Sequence, residues 1–200
     1  MFDGKPTYVH LKATHMVDNN SHHIVIGINN INAQMKREEE LGAAKARAYR
    51  DALTGVKSKY AFEEAQAQID REIDGGGAAP FTLAMCDVNA LKLTNDTQGH
   101  AAGDRLLLDA AKVICNIFKH SPVYRIGGDE FAVILRGSDW EQRADLLASL
   151  AESNRVNGEA GGVVIACGTA DWQASDHFAD VFERADAAMY ANKVALKTVR

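Results

Sequence analysis

Two hundred residues with 46% hydrophobic content suffice for one well-filled core and a smaller appendage. A formal charge of −5 and a pI near 5.8 argue against a chain that coats nucleic acid or an anionic membrane. No apolar run reaches membrane-spanning length, the N-terminus lacks a signal-peptide pattern, and Cys86, Cys115 and Cys167 stand apart without CxxC spacing, so free core thiols in the cytoplasm are expected. Seven histidines are scattered, and the His22–His23 pair points to opposite faces if it lies in a strand, so no zinc site is expected.

In chain order, "GKPTYVHLKATHMV" and "HHIVIGINNI" are β-rich runs joined by the turn composition "DNNS", a hairpin too small to fold alone. From Ile31 to Ala52 the chain reads as a charged helix, with Ile28, Ile31 and Met35 on a stripe that fades at Gly42. A solvated connector and a dimer stalk both fit it. After "LTG" a helix begins near Ser58, with Phe62, Ala65, Ile69 and Ile73 inward. "DGGGAAP" breaks it, and "FTLAMCDV" is a buried strand ending at Asp87. The polar stretch "NALKLTNDTQGHAAGD" reads as a loop leading to a helix with Leu107, Ala110, Ala111, Ile114, Ile117 and Phe118 on its inner face. The hairpin "YRIGGDEFAVIL" follows. Ser138 and Glu141 read as a capping box. "GGVVIACGTA" is a further strand, and a last helix runs from about Ser175. This order implies an α/β sandwich with an antiparallel component, the hairpin lying beside the Phe81–Asp87 strand.

That hairpin joins two core strands through Gly127, Gly128, Asp129 and Glu130. The glycines are expected to take positive φ and to leave open space where phosphates approach backbone N–H groups. On these residues alone a plain turn with solvated acids serves as well. Asp87, ending a neighbouring strand, would bring a third carboxylate to the same sheet edge. Like charges raise one another's pKa, and a hard divalent cation relieves that. Oxygen-only ligands suit Mg²⁺ or Mn²⁺.

"RIGGDEFAVIL", with "CDVNALKLTNDTQGHAAGD" and "DALTGVKSKYAF", resembles the GGDEF family of diguanylate cyclases over about Asp51–Lys197. The resemblance implies an α+β fold, a palm-like nucleotidyl-cyclase sheet with an antiparallel hairpin packed by helices. It also implies condensation of two GTP into cyclic di-GMP and two pyrophosphates by a homodimer, with two Mg²⁺ or Mn²⁺ ions per active site. By family pattern Asp87 and the Val88 carbonyl bind metal. Asp129 binds metal and accepts the proton of the attacking 3′-hydroxyl, and Glu130 is the other metal carboxylate. Asn95 and Asp104 hydrogen-bond guanine, Lys92 and Lys193 lie near the phosphates, and His100 points at the site. A carboxylate suits the N1–H and N2–H₂ edge of guanine, which adenine lacks.

Several positions depart from the pattern. Asn89 replaces a frequent Asp and Leu91 a frequent Phe, a familiar variant from which little loss is expected. The inhibitory Arg-x-x-Asp is replaced by "FKHS", Phe118–Ser121, so product inhibition through that site is expected to be absent. Lys197 stands where an Arg often helps bind phosphates. The N-terminal segment resembles the last strands of a PAS sensor (residues 1–30) and its signalling helix (31–52), preceding a cyclase domain at 53–200. The chain then reads as part of a longer sensor whose upstream region is missing, with no membrane or nucleic-acid partner in this part. The rival readings are a non-catalytic GTP-binding signalling module, a cyclase that also accepts ATP, and a template-dependent polymerase.

Overall fold

The computed structural model describes residues 7–18 and 21–198, without the side chains of Asp18, Lys197 and Thr198. Asn19–Asn20 of the first turn and the Lys197 side chain thus lie outside the described residues. The chain divides into two compact units, Met1–Arg47 and Ala48–Arg200.

In the first unit, β1 (Val9–Asp18) and β2 (Ser21–Asn30) form an antiparallel ribbon with Leu11 opposite Ile28 and Ala13 opposite Ile26. Period-two alternation puts Leu11, Ile26 and Ile28 on one face, and all three are exposed. Helix α1 (Asn32–Ala48) follows and buries none of its residues. It stops four residues short of the expected Ala52, because the chain turns at Tyr49 and pairs Arg50 with Lys57.

The second unit is a four-stranded antiparallel sheet, order β4-β5-β3-β6, between two helical layers. Its elements are α2 (Lys59–Asp74), β3 (Thr82–Val88), α3 (Leu91–Gln98), α4 (His100–Ile117), β4 (Val123–Arg125), β5 (Glu130–Leu135), α5 (Gly137–Glu141), α6 (Arg143–Ala160), β6 (Ile165–Asp171) and α7 (Phe178–Thr198). Ser58 caps α2, its Oγ accepting from the Ala61 N–H at 3.3 Å. Alternation along β3 splits the core. Ala84, Cys86 and Val88 pack with Leu107, Ile114 and Phe118, whereas Leu83 and Met85 pack with Phe62, Ile69, Phe178 and Val181. The expected placement of the hairpin beside β3 holds, since β5 pairs with it from Thr82–Leu135 to Asp87–Glu130.

Three local expectations are corrected. The polar stretch after β3 is not a loop: α3 is helical, packed on α4 through Leu91, Asn95 and Gly103. Tertiary packing there outweighs the weak helix propensity of its Thr and Asn residues. The Ser138/Glu141 box does not form, because Arg136 is the N-cap of α5 and makes no side-chain cap bond. Asp139 instead accepts from the His120 N–H at 3.1 Å. Finally, Cys115 is no core thiol but exposed, and Cys86 and Cys167 are not apart but lie opposite one another on β3 and β6. Phe118, in the window where "FKHS" replaces the inhibitory motif, is buried at the end of α4. Among the described residues, no helix is long and apolar enough to cross a membrane.

Candidate active site

The site forms where β3 ends and β5 begins. Antiparallel register sets Asp87 directly opposite Glu130 on one face, and the Val88 N–H donates to the Asp129 carbonyl at 2.9 Å. Asp87 is only 3% exposed. Its Oδ2 accepts from Lys193 Nζ of α7 at 2.5 Å, so an ammonium sits against the carboxylate where a cation is wanted.

Two features bring α7 close enough. A Cβ on Gly168 of β6 would lie 1.9 Å from the Met189 backbone nitrogen, so only glycine permits the approach. Asn192 Oδ1 accepts from the outward N–H of Cys167 at 3.0 Å, fastening α7 to the sheet edge one residue before Lys193.

The signature turn differs from expectation. Gly127 and Gly128 take no positive φ, because the turn is closed by the Ile126 and Gly127 N–H groups both donating to the Glu130 carbonyl, at 2.9 and 3.3 Å. What glycine at 127 leaves is space for Glu130: a Cβ there would stand 2.4 Å from Glu130 Oε2 and displace that carboxylate. Gly128 faces open space, as expected.

The turn is braced from behind by residues that the sequence did not single out. Arg125 Nη2 donates to the Gly128 carbonyl at 2.8 Å, and Nη1 to Asp51 Oδ1 at 3.1 Å. Asp51 also accepts from the Thr54 N–H and hydroxyl at 2.8 and 2.6 Å. The signal was present in "DALT" and in the Arg two residues before the glycines, but only long-range pairing joins them.

Next to the edge, Val88, Asn89, Ala90, Lys92, Asp129 and Lys193 line a cavity of about 280 Å³. Ala90 has φ +66°, a strained conformation for a residue with a side chain, and it starts α3 there. Asn89 Oδ1, buried in this wall, has no hydrogen-bond partner among the described residues.

The expected guanine pair lies on the α3–α4 corner. Gly99, with φ +84°, ends one helix and begins the next. A Cβ on Gly103 would fall 1.9 Å from Asn95 Oδ1, so the missing methyl gives Asn95 its place, and that oxygen is buried with no protein partner among the described residues. Asp104 and His100 are exposed on α4, and Lys92 is exposed on α3.

The electrostatics follow from this crowding. Burial, then the charges of Asp129, Asp87 and Asp186, push the Glu130 carboxyl up, with Lys193 opposing. For Lys193, burial pushes down but is outweighed by the Asp87 hydrogen bond and the charges of Asp87, Asp129 and Glu130, which leave its ammonium favoured. Asp186, two helical turns before Lys193 on α7, was not foreseen. Among the described residues no three side chains of metal-ligating type already form a closed cluster. Two opposed carboxylates, a neighbouring backbone carbonyl and a cavity beside them do fit a hard cation completed by a ligand's oxygens.

Known proteins resemble this chain in sequence and fold. The family profile "Diguanylate cyclase, GGDEF domain" matches residues 48–198. Diguanylate cyclase DgcP of Pseudomonas aeruginosa is 31% identical over 159 residues, 76% of this chain and 23% of that protein. DgcZ of Escherichia coli is 28% identical over 153 residues, 74% of this chain and 51% of that one. The chain thus spans about a quarter of the first relative and about half of the second. Among solved structures, the coiled coil and GGDEF domain of Caulobacter crescentus DgcB, in complex with c-di-GMP, superposes with a TM-score of 0.69 at 27% identity, covering 82% of this chain and 90% of that one. Diguanylate cyclase SiaD of P. aeruginosa, in complex with its activator SiaC, gives 0.62 at 27% identity, covering 82% and 64%. With the family profile spanning most of its length and its signature placed on the carboxylate edge, the chain belongs to the diguanylate cyclase GGDEF-domain family.

Proposed function

We propose that residues 53–200 are a diguanylate cyclase domain that condenses two GTP into cyclic di-GMP and two pyrophosphates. The observation that carries this reading is the pairing of Asp87 with Glu130 at one sheet edge, with Asp129 beside them on a cavity that also holds Lys193. Asp87, Asp129, Glu130 and the Val88 carbonyl would hold the divalent ions, two per site. Bound there, the ions would offset the charge of the α-phosphate and favour ionisation of the 3′-hydroxyl. Asp129 accepts the proton of that hydroxyl. The 3′-oxygen bonds to the α-phosphorus of the facing GTP, and the bond from that phosphorus to the bridging oxygen of the β-phosphate breaks to release pyrophosphate. Lys193 leaves Asp87 for the phosphates, with Lys92 at the cavity mouth and His100 near it. Asn95 and Asp104 read the guanine edge, the acid accepting from N1–H and N2–H₂.

Each protomer holds one GTP, so two must face each other and a homodimer is part of the mechanism. Residues 1–30 are read as the end of a PAS-like sensor and 31–52 as the linker whose helix, α1, governs the encounter. The start of the family match at residue 48 supports a boundary near the end of that helix.

The test is product mass after incubating concentrated protein with GTP and Mg²⁺, beside Asp129→Ala. Cyclic di-GMP from the unaltered protein only, with both proteins folded, is the expected result. Turnover by a folded Asp129→Ala protein overturns the assignment of roles, and GTP binding without product favours the non-catalytic signalling module.

A further inference from the structure

The outer strand of the catalytic sheet, β6, sets Cys167 directly opposite Cys86 of β3. Antiparallel neighbours alternate between pairs that exchange backbone hydrogen bonds and pairs that do not, and the latter bring their Cα atoms to about 4.5 Å. The Cys167 N–H points outward to Asn192 Oδ1, so this pair is of the second kind. Its Cα separation therefore falls within the roughly 4.4–6.8 Å that a disulfide spans. The Sγ atoms stand 3.7 Å apart. Side-chain rotation and a small approach of the strands would close them to the bond length of about 2.05 Å.

The two thiols differ in access. Cys86 is wholly buried. Cys167 is half-buried and lines an open cavity of about 620 Å³ with Leu150, Asn154, Thr169 and Leu196. A small oxidant therefore meets Cys167 first, with Cys86 already in reach behind it. Cys115 stands exposed on α4, outside this pair.

We propose that Cys86 and Cys167 are a peroxide-responsive thiol pair whose disulfide restrains the carboxylate edge and slows GTP turnover. The sulfur of Cys167 attacks one oxygen of hydrogen peroxide. The O–O bond breaks, a sulfenic acid forms, and the other oxygen leaves as water with the thiol proton. The sulfur of Cys86 then attacks that of Cys167, expelling hydroxide, which departs as water with the second thiol proton. Two thiols and one peroxide give one disulfide and two waters, and two electrons pass from sulfur to oxygen.

The bridge bears on the site from two sides. Cys86 directly precedes Asp87, and Cys167 holds Asn192, which directly precedes Lys193, the partner of Asp87. A misplacement of about 1 Å at a catalytic constellation costs on the order of a hundredfold in rate. A fraction of that displacement at Asp87 and Lys193 should lower turnover by about tenfold or more.

The experiment uses the chain carrying Cys115→Ser, so that only the pair can react, treated with hydrogen peroxide. The expected result is a mass loss of about 2 Da, disappearance of both free thiols, a cross-linked Cys86–Cys167 peptide, and slowed turnover that dithiothreitol restores. Adding Cys167→Ala should abolish both the cross-link and the slowing. Oxygen gained at Cys167 without a cross-link overturns the proposal, as does a complete disulfide with unchanged turnover. The turnover readout rests on the cyclase reading, whereas the mass readout does not. Should the reduced protein make no product, that reading fails alone, and unchanged Mg²⁺–GTP affinity across oxidation then overturns the switch.

Discussion

Gly127→Ala should separate catalysis from folding. The added Cβ would lie 2.4 Å from Glu130 Oε2 and 3.2 Å from the Glu130 Cβ, with no backbone atom among its nearest contacts. The backbone at Gly127 has no positive φ, so alanine meets no left-handed strain there. Reduced freedom of the unfolded chain then favours the variant by about 0.4–1 kcal/mol. An off-rotamer Glu130 costs about 0.5–1.5 kcal/mol. The two nearly cancel, and Tm should stay within about 3 °C of the unaltered protein. The carboxylate, however, must retreat about 1 Å to reach ordinary van der Waals contact. At a metal-binding carboxylate, a shift of that size is worth about a hundredfold in kcat, or ~2.7 kcal/mol of barrier. The assay is cyclic di-GMP formation at saturating GTP and Mg²⁺, alongside thermal unfolding. Turnover within threefold of the unaltered protein would refute the claim that this glycine exists to seat Glu130. A fall in Tm beyond about 8 °C would instead show that the backbone is strained by the methyl.

Two further outcomes follow from the charges. Because burial and neighbouring acids raise the Glu130 carboxyl in the folded protein, its ionised form opposes folding without metal. Its contribution is present below the ordinary carboxylate range and is lost as pH rises through the raised value. Glu130→Gln should therefore gain at most about 1 kcal/mol at pH 7.5, since solvent screens this partly exposed carboxyl, read as no more than ~2–4 °C in Tm without Mg²⁺, and nothing at pH 4, while turnover is lost. Equal gains at both pH values would refute the electrostatic cause. At Asp51, burial acts upward but is outweighed by the Thr54 hydrogen bonds and Arg125, so its carboxyl lies below the usual range. That contribution is present above the ordinary carboxylate pKa and lost as pH falls through the depressed one. Asp51→Ala should cost about 1–2 kcal/mol in denaturant unfolding, modest because the pair is partly solvent-screened, and should slow turnover by freeing Arg125. Undiminished turnover would show that the brace behind the signature turn is dispensable.

Much of the site was legible because strand chemistry is regular. "FTLAMCDV" and "EFAVIL" are apolar runs of strand length, and the placing of acids at the end of one and the start of the other needs only antiparallel pairing to bring Asp87 and Glu130 together. The order of Asn95, Asp104 and the glycine-acid turn likewise carries the family resemblance without coordinates. The polar stretch 89–104 misled, since its Thr and Asn residues favour loops when read locally, and only packing on α4 makes α3 a helix.

Local sequence thus determined the strands, the outer helices, the approximate ends of the core elements and the identity of the acids, because backbone propensity and apolar period act over a few residues. Tertiary structure decided the rest. It set Lys193 on Asp87 across 106 residues, joined Asp51 to Arg125 across 74, and laid Cys86 beside Cys167 across 81. It also gave three glycines their reasons: Gly103 makes room for Asn95, Gly127 for Glu130, and Gly168 for the backbone of α7. Contacts of this kind depend on sheet order and register, which emerge only when distant segments share one core and exclude one another's volume.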